Sequence, residues 1–412
     1  MIDLDHINTE VAIPYVLSSR GYGLVWNMPG RGRVELAQQF TRFSATVTTQ
    51  VDYVVSTGAS LFDVLGRLVE QTGRPPVLPY YASGFWQCKL RYATQAELLN
   101  VTREFVARKI PLSVIVIDDD PAFSEHMGDW KLNPKDWPDP KAMMQEIRGY
   151  GVHVMISVWP TVQQGSVNYE PMLDQGLLVS TETGGCDVGR QNGPGVSSYD
   201  PFNPDARAYF WQQVQANLFS LGIDMVWLDA DEGMGSLGED IPFPRTDEVY
   251  SLGSKEDIGL LFPYYHQKAV FDGQKAANAS AEVVSLSRSA FLGSAKFGTA
   301  VWSGDTLSTF ESMQLQIPAG LNAQLSGIYW WTLDAGGFMG GINNIDTPAY
   351  RELFARWFQF SAFLPIMRNH GVRSCNSTRG FKTCPNEPWL VAPSSAPPPF
   401  FFFKKKKKKK KK

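Results

Sequence analysis

The sequence predicts an α/β protein, a (β/α)8 barrel preceded by the remnant of an N-terminal β-sandwich domain. Three observations predict it. Strand-length apolar runs alternate with helix signals from about residue 82 to residue 367, eight such runs can be counted, and several end abruptly in carboxylates. The clearest is residues 223–232, IDMVWLDADE, which delivers acid at the carboxyl end of an apolar run, where barrel strands present functional side chains. A chain of 412 residues has room for a barrel of roughly 250 residues and additions to it.

Residues 11–53 read as short antiparallel strands separated by Gly-rich turns, too few to close a sandwich. Residues 60–73 follow as a helix, and RPPVLP at 74–79 is a proline-rich linker. Residues 1–73 are therefore read as the end of a β-sandwich domain with a connecting helix, and 74–390 as the barrel. Residues 82–87 form the first candidate strand. Thr94, with Glu97 three residues later, has the pattern of a capping box opening the first helix. Residues 111–117 make the second strand, closed by Asp118, Asp119 and Asp120. Asp139 and Pro140 start a helix that stops at Gly151, and 152–158 is the third strand.

A polar, Gly-rich insertion at about 161–200 interrupts the rhythm. Asn203 and Pro204 then open a helix ending at Gly222, which feeds the fourth strand at 223–228. Residues 283–287, 299–303, 327–333 and 362–367 supply the fifth to eighth. Residues 391–412 are a low-complexity tail of homopolymeric Phe and then Lys, read as a gene-model or read-through artefact.

The formal charge of −3 hides an acidic body, because nine lysines form one run at 404–412, and without them the charge is −12. That balance argues against nucleic acid as a partner, since phosphate binding needs clustered Lys and Arg on the folded surface. No run of about 18 apolar residues could span a bilayer, so no membrane partner is expected. The first ten residues lack the basic segment and apolar run of a secretory signal. Cys88, Cys186, Cys375 and Cys384 have no paired metal spacing, and the five His are scattered, so neither metal nor cofactor is expected. Twelve Trp and 13% aromatic residues suggest stacking platforms for sugar rings, although most Trp in a folded chain are simply buried.

Cleaving a glycosidic bond with retention needs two carboxyl groups about 5–5.5 Å apart, one as nucleophile and one as acid/base. Asp229 closes the fourth strand and Asp305 follows the sixth, which places both at the carboxyl face. An Asp after a strand serves equally well as a helix N-cap, so position alone leaves both readings open. Six stretches bear on the choice: SGFWQCKLRY (83–92), GDWKLNPKDWPDP (128–140), VWLDADE (226–232), SRSAFLGSAKFGTAVWSGD (287–305), WWTLDAGGF (330–338) and MRNHG (367–371). In this order they resemble glycoside hydrolase family 31, the family of α-glucosidases and α-xylosidases, over almost all of residues 11–389.

The resemblance implies that Asp229 is the nucleophile and Asp305 the acid/base. It also implies substrate-binding roles for Asp118, Arg288, Trp302 and His370, with Trp227 and Phe338 lining the sugar pocket. Asp334 ends the seventh strand and is read either as a loop-shaping residue or as a sugar contact. Asp231 and Glu232 rival Asp229 on sequence alone, but strand-end position favours Asp229. DADEG at 229–233 is closer to the α-xylosidase-like branch, with Gly233 where that branch commonly has Pro. Family members begin with a fuller sandwich and continue past the eighth strand, so the chain reads as truncated at both ends and lacking its last barrel helix.

The function expected is a retaining α-glycoside hydrolase that releases α-linked xylose or glucose from non-reducing ends of oligosaccharides by double displacement. The alternative is an inactive fragment or a carbohydrate-binding protein that keeps only the sugar contacts.

Overall fold

The computed structural model describes residues 1–118, 126–186, 195–233, 247–376 and 384–391. Asp119 and Asp120, residues 187–194 of the insertion and the 392–412 part of the tail lie outside them. Eight parallel strands form one sheet: β1 (Phe85–Gln87), β2 (Val114–Ile117), β3 (His153–Val158), β4 (Met225–Leu228), β5 (Ser285–Ser287), β6 (Thr299–Trp302), β7 (Trp331–Thr332) and β8 (Met367–Asn369). Each pairs with its sequence neighbour from β1 to β7, and β8 returns beside β1. The seam between β7 and β8 is closed by Ala335 N donating to the Arg368 carbonyl at 3.2 Å and by Thr332 Oγ1 donating to the Ile366 carbonyl at 2.9 Å. The sheet is thus a barrel.

Parallel strands wrapped by helices are buried on both faces, which is why VIVI at β2 and MVWL at β4 lack polar alternation. Side-chain parity still sorts them. Val114, Val116, Met155, Met225, Trp227, Leu286, Ala300, Trp302 and Ile366 fill the barrel interior, whereas Ile115, Ile117, Val154, Ile156, Val226 and Leu228 face the surrounding helices. Continuing the inward parity past each strand end reaches Cys88, Asp118, Asp229, Arg288, Asp334 and His370. One alternation therefore builds the core below and the site above.

The helix signals act as expected at most ends. Ser60 and Asp63 form a complete capping box for the helix Leu61–Thr72, and Asp139 and Asn203 cap helices that open with proline. At the helix Gln95–Ala107 the box is half formed. Thr94 accepts from Glu97 N, but the Glu97 carboxylate accepts from Ala93 N and pairs with Lys89.

The eighth strand departs from the sequence expectation. Residues 362–366 are turn, because the helix Pro348–Ser361 runs up to them, and the strand lies at Met367–Asn369 in register with Phe85–Gln87. The first and seventh strands are shorter than expected, with turn preceding Phe85 and Trp331.

Before the barrel lie two three-stranded antiparallel sheets, Tyr15–Ser18 with Tyr22–Trp26 and Tyr53–Thr57, and Ile2–Leu4 with Gly32–Leu36 and Thr41–Ala45. The described part of the insertion pairs Thr161–Gln163 with Val196–Ser198 and contains the helix Tyr169–Asp174. Its Ser180–Thr181 pairs with Glu248–Tyr250, a strand that follows β4. Cys375 and Cys384 form a disulfide, while Cys88 and Cys186 are free thiols. Among the described residues no helix is long and apolar enough to cross a membrane.

Candidate active site

Eight of the nine residues singled out from the sequence lie at or beyond the carboxyl ends of strands, and the ninth lies one residue inside such an end. Asp118 follows β2, Asp229 follows β4, Arg288 follows β5, Asp305 and Trp302 belong to the end of β6, Asp334 and Phe338 follow β7, His370 follows β8, and Trp227 is inside β4. The centre of the group is Arg288. Its Nη1 lies 3.0 Å from Asp229 Oδ1 and 3.8 Å from Asp305 Oδ2. One nitrogen reaching both limits the two oxygens to at most about 7 Å apart, a range that contains the roughly 5–5.5 Å of a retaining carboxyl pair.

Arg288 is held from behind by Glu232, which accepts from Nε and, at 3.1 Å, from Nη2. This fork fixes the guanidinium plane and leaves Nη1 for the two aspartates. Asp231 accepts from Ser287 Oγ and, at 2.9 Å, from Ser289 N, pinning β5 to β4. Sequence reading treated Asp231 and Glu232 only as rivals of Asp229. Their buried positions come from Ala230, whose left-handed φ of 55° turns the chain back towards β5. Gly233 has φ 97°, a backbone course proline could not follow, so the chain leaves this acidic segment by a route that suits glycine.

Burial sets the ionisation of the two aspartates. Desolvation pushes Asp229 up to about 6 against the pull of Arg288, with Asp305 and Glu232 adding to the rise. Desolvation also raises Asp305, opposed by Arg288 and by a hydrogen bond from Asn8. The Asp305 side chain keeps 19% of its surface open and Asp229 keeps 11%, so both carboxyls reach a ligand space. Asp229 Oδ1 also accepts from Ala230 N at 2.8 Å, and no described residue bonds Oδ2.

The floor is aromatic. Trp227 meets Trp302 edge to face at 5.3 Å and His370 at 5.0 Å, and Phe338 lies 5.2 Å from His370. Below them the Arg368 guanidinium sits 4.5 Å over Trp227 and 5.4 Å from Trp302, and is paired with Asp334. This assigns Asp334 a buried ion pair that closes the barrel seam. Burial raises its carboxyl to about 7, with Arg368 opposing. Arg368 was not singled out from the sequence, although it stands inside the MRNHG stretch.

His370 Nε2 lies 3.6 Å from Asp118 Oδ2, and burial with two nearby arginines keeps its imidazole well below its usual range, hence neutral. Cys88, Asp118 and His370 offer ligand atoms within 4.8 Å of one another, from β1, β2 and β8, and are the one group among the described residues that could hold a metal ion. Chain spacing could not reveal it, because the three residues meet only through barrel closure.

A closed parallel barrel with two aspartates sharing a guanidinium above an aromatic floor defines the class, a barrel of the glycoside-hydrolase kind. Comparison with known proteins gives the family. Residues 75–397 match the glycosyl hydrolases family 31 TIM-barrel domain, and the chain belongs to that family. It is 38% identical to α-xylosidase A of Aspergillus niger, over 96% of this chain and 56% of that protein. It is 39% identical to an uncharacterized family 31 glucosidase of Pseudescherichia vulneris, over 90% of this chain and 68% of that one. The crystal structure of a family 31 α-xylosidase from a soil metagenome, complexed with xylose, superposes with a TM-score of 0.87 at 38% identity, covering 95% of this chain and 58% of that structure. The chain thus spans a little over half of the Aspergillus relative.

Proposed function

We propose that this barrel hydrolyses α-glycosides with retention, removing α-linked xylose, and secondarily glucose, from non-reducing ends. The observation that carries the reading is Arg288 Nη1 contacting both Asp229 and Asp305. A fixed cation at 3.0 Å favours the ionised form of Asp229, the state a nucleophile needs. Asp305, raised by burial and more open, suits the proton donor.

In the first step Asp229 attacks the anomeric carbon as the glycosidic C–O bond breaks, and the Asp305 proton passes to the leaving oxygen. The product is an ester between the sugar and Asp229. In the second step the Asp305 carboxylate takes a proton from water, the water oxygen bonds to the anomeric carbon, and Asp229 leaves as carboxylate, so both groups regain their starting states.

Sugar binding draws support from polar atoms that lack hydrogen-bond partners among the described residues: His370 Nδ1 and the Nε1 atoms of Trp227 and Trp302. Such a set around an aromatic floor calls for ordered water or a hydroxyl-rich ligand. The preference for xylose rests on the likeness to α-xylosidase relatives.

The test is hydrolysis of aryl α-xylosides and α-glucosides, followed by proton NMR of the first anomer released. The α-anomer from the xyloside at higher kcat/KM supports the reading. A β-anomer overturns retention, and inertness towards both by the folded chain favours a sugar-binding protein.

A further inference from the structure

We propose that Asn8, from the N-terminal strands, is a positioning residue for Asp305: it fixes the carboxyl so that Oδ1 carries the proton to the glycosidic oxygen. The inference rests on the acid/base role proposed above and adds to it a residue 297 positions away in the chain.

Asn8 makes two bonds to the same residue. Its Nδ2 donates to Asp305 Oδ2 at 2.8 Å, and its Oδ1 accepts from Asp305 N at 3.0 Å. The pairing fixes the amide orientation, because a flipped amide would set an oxygen against the carboxylate and an NH2 against a backbone N–H. Arg288 Nη1 approaches the same Oδ2 at 3.8 Å, and no described residue bonds Oδ1. A proton on Oδ2 would replace two favourable donor contacts with repulsion. The proton therefore resides on Oδ1.

The turn that carries Asn8 is built to reach this place. Ile7 and Glu10 exchange backbone hydrogen bonds at 2.9 and 3.2 Å, and Thr9 between them takes a φ of 75°, which non-glycine residues rarely adopt. Buried His6 anchors the turn, with Nε2 3.1 Å from the Leu260 carbonyl oxygen and Nδ1 accepting from Ala12 N at 3.1 Å.

The barrel side is shaped to receive it. A Cβ on Gly304 would stand 2.6 Å from both Asn8 Oδ1 and Thr9 N, and the φ of Gly304 is 73°. The glycine of WSGD is thus the notch into which the N-terminal turn fits. Strain at Thr9, the missing side chain at Gly304 and the paired bonds of Asn8 all serve one contact.

Asp305 also feels Arg288, Glu232 and Arg368, and its charge in turn acts on Asp229 and Asp334. None of these groups changes in an Asn8 variant, so a change in Asp305 titration reports the Asn8 contact. Donation from Asn8 favours the ionised carboxylate, and its removal raises the Asp305 pKa. Asn8→Asp keeps the acceptor for Asp305 N but sets a carboxylate against Oδ2, which raises it further.

The experiment compares the full chain with Asn8→Ala and Asn8→Asp. One readout is carbon-13 titration of the Asp305 carboxyl, assigned by its loss in Asp305→Asn, which needs no turnover. The other is kcat/KM on a phenyl α-xyloside, which needs the acid, and on α-xylosyl fluoride, which does not. Expected is a titration midpoint rising from wild type to Asn8→Ala to Asn8→Asp. The phenyl xyloside should lose about 10–100-fold in Asn8→Ala, less than the roughly 100–10,000-fold a general acid contributes in full because the acid is kept and only misplaced, while the fluoride changes by less than about threefold. An unmoved Asp305 titration, or equal losses on both substrates, overturns the proposal. A wild-type chain that turns over neither substrate while the midpoints keep that order leaves the Asn8 contact standing and removes the hydrolase reading instead.

Discussion

Replacing Arg288 by methionine tests what holds Asp229, the proposed nucleophile, ionised. The guanidinium lies 3.0 Å from Asp229, and two unit charges at that distance interact by about 5 kcal/mol at an effective dielectric constant near 20. At roughly 1.4 kcal/mol per pH unit this places an upper bound of about four units on the shift, and sharing of the cation with Glu232 and Asp305 reduces it. We expect the Asp229 midpoint to move from about 6 upward by about two units or more in Arg288→Met.

Activity requires the ionised carboxylate, so it is lost as pH falls through that midpoint, and the acid limb must move to higher pH. Glu232 left buried without its partner costs about 3–5 kcal/mol of stability, so Arg288→Met/Glu232→Gln provides a neutral pair of similar volume, whose acid limb moves up by less than in the single variant because the smaller, opposing Glu232 charge is lost too. The assay is the pH dependence of inactivation by a 5-fluoro-α-xylosyl fluoride, which reads the nucleophile without needing the acid. The reasoning is refuted if the double variant, folded by near-ultraviolet circular dichroism, keeps an acid limb within half a unit of wild type.

Other outcomes follow from the same geometry. Asp305→Ala should lose about 100-fold or more on substrates with poor leaving groups, and azide should restore turnover of activated ones by forming an α-glycosyl azide; absence of that product speaks against the acid/base assignment. Gly304→Ala should destabilise the fold by about 1–3 kcal/mol in urea, because the added Cβ meets the Asn8 side-chain oxygen and the Thr9 backbone and the residue has positive φ. His266 is fully buried and its pKa is pushed down to about 3, so the unfolded chain binds a proton that the folded chain refuses. Stability should therefore fall as pH drops from about 6.5 towards 3, by several kcal/mol in total, and a urea titration of His266→Gln at pH 5 and 7 should show a smaller difference than wild type.

Much of this fold was legible because parallel strands buried on both faces leave plain apolar runs, and because inward parity carries on past their ends. Residues 223–228 announced β4, and the acid after them was the one that inward parity places in the pocket. The eighth strand was misplaced because its inward residue is Arg368, neutralised by Asp334 and lodged under two tryptophans, so the true strand reads as polar while the turn before it reads as apolar. Glu232 went unrecognised because its partner lies 56 residues on, and local sequence carries no record of a salt bridge made only when β4 and β5 pair. Asn8 was invisible for the same reason over a longer span. The disulfide between Cys375 and Cys384 was likewise unread, since two cysteines nine residues apart fit no metal spacing and predict no pairing by themselves.

The central claim is that Asp229 is the nucleophile of a retaining reaction. The most direct measurement is incubation of the full chain with a 5-fluoro-α-xylosyl fluoride, digestion, and mass mapping of the labelled peptide. The account predicts one adduct of 5-fluoropentosyl mass, the anomeric fluoride having left, on Asp229 within VWLDADE. An adduct on Asp231, Glu232 or any other carboxylate, or none on a chain that remains folded, would contradict it.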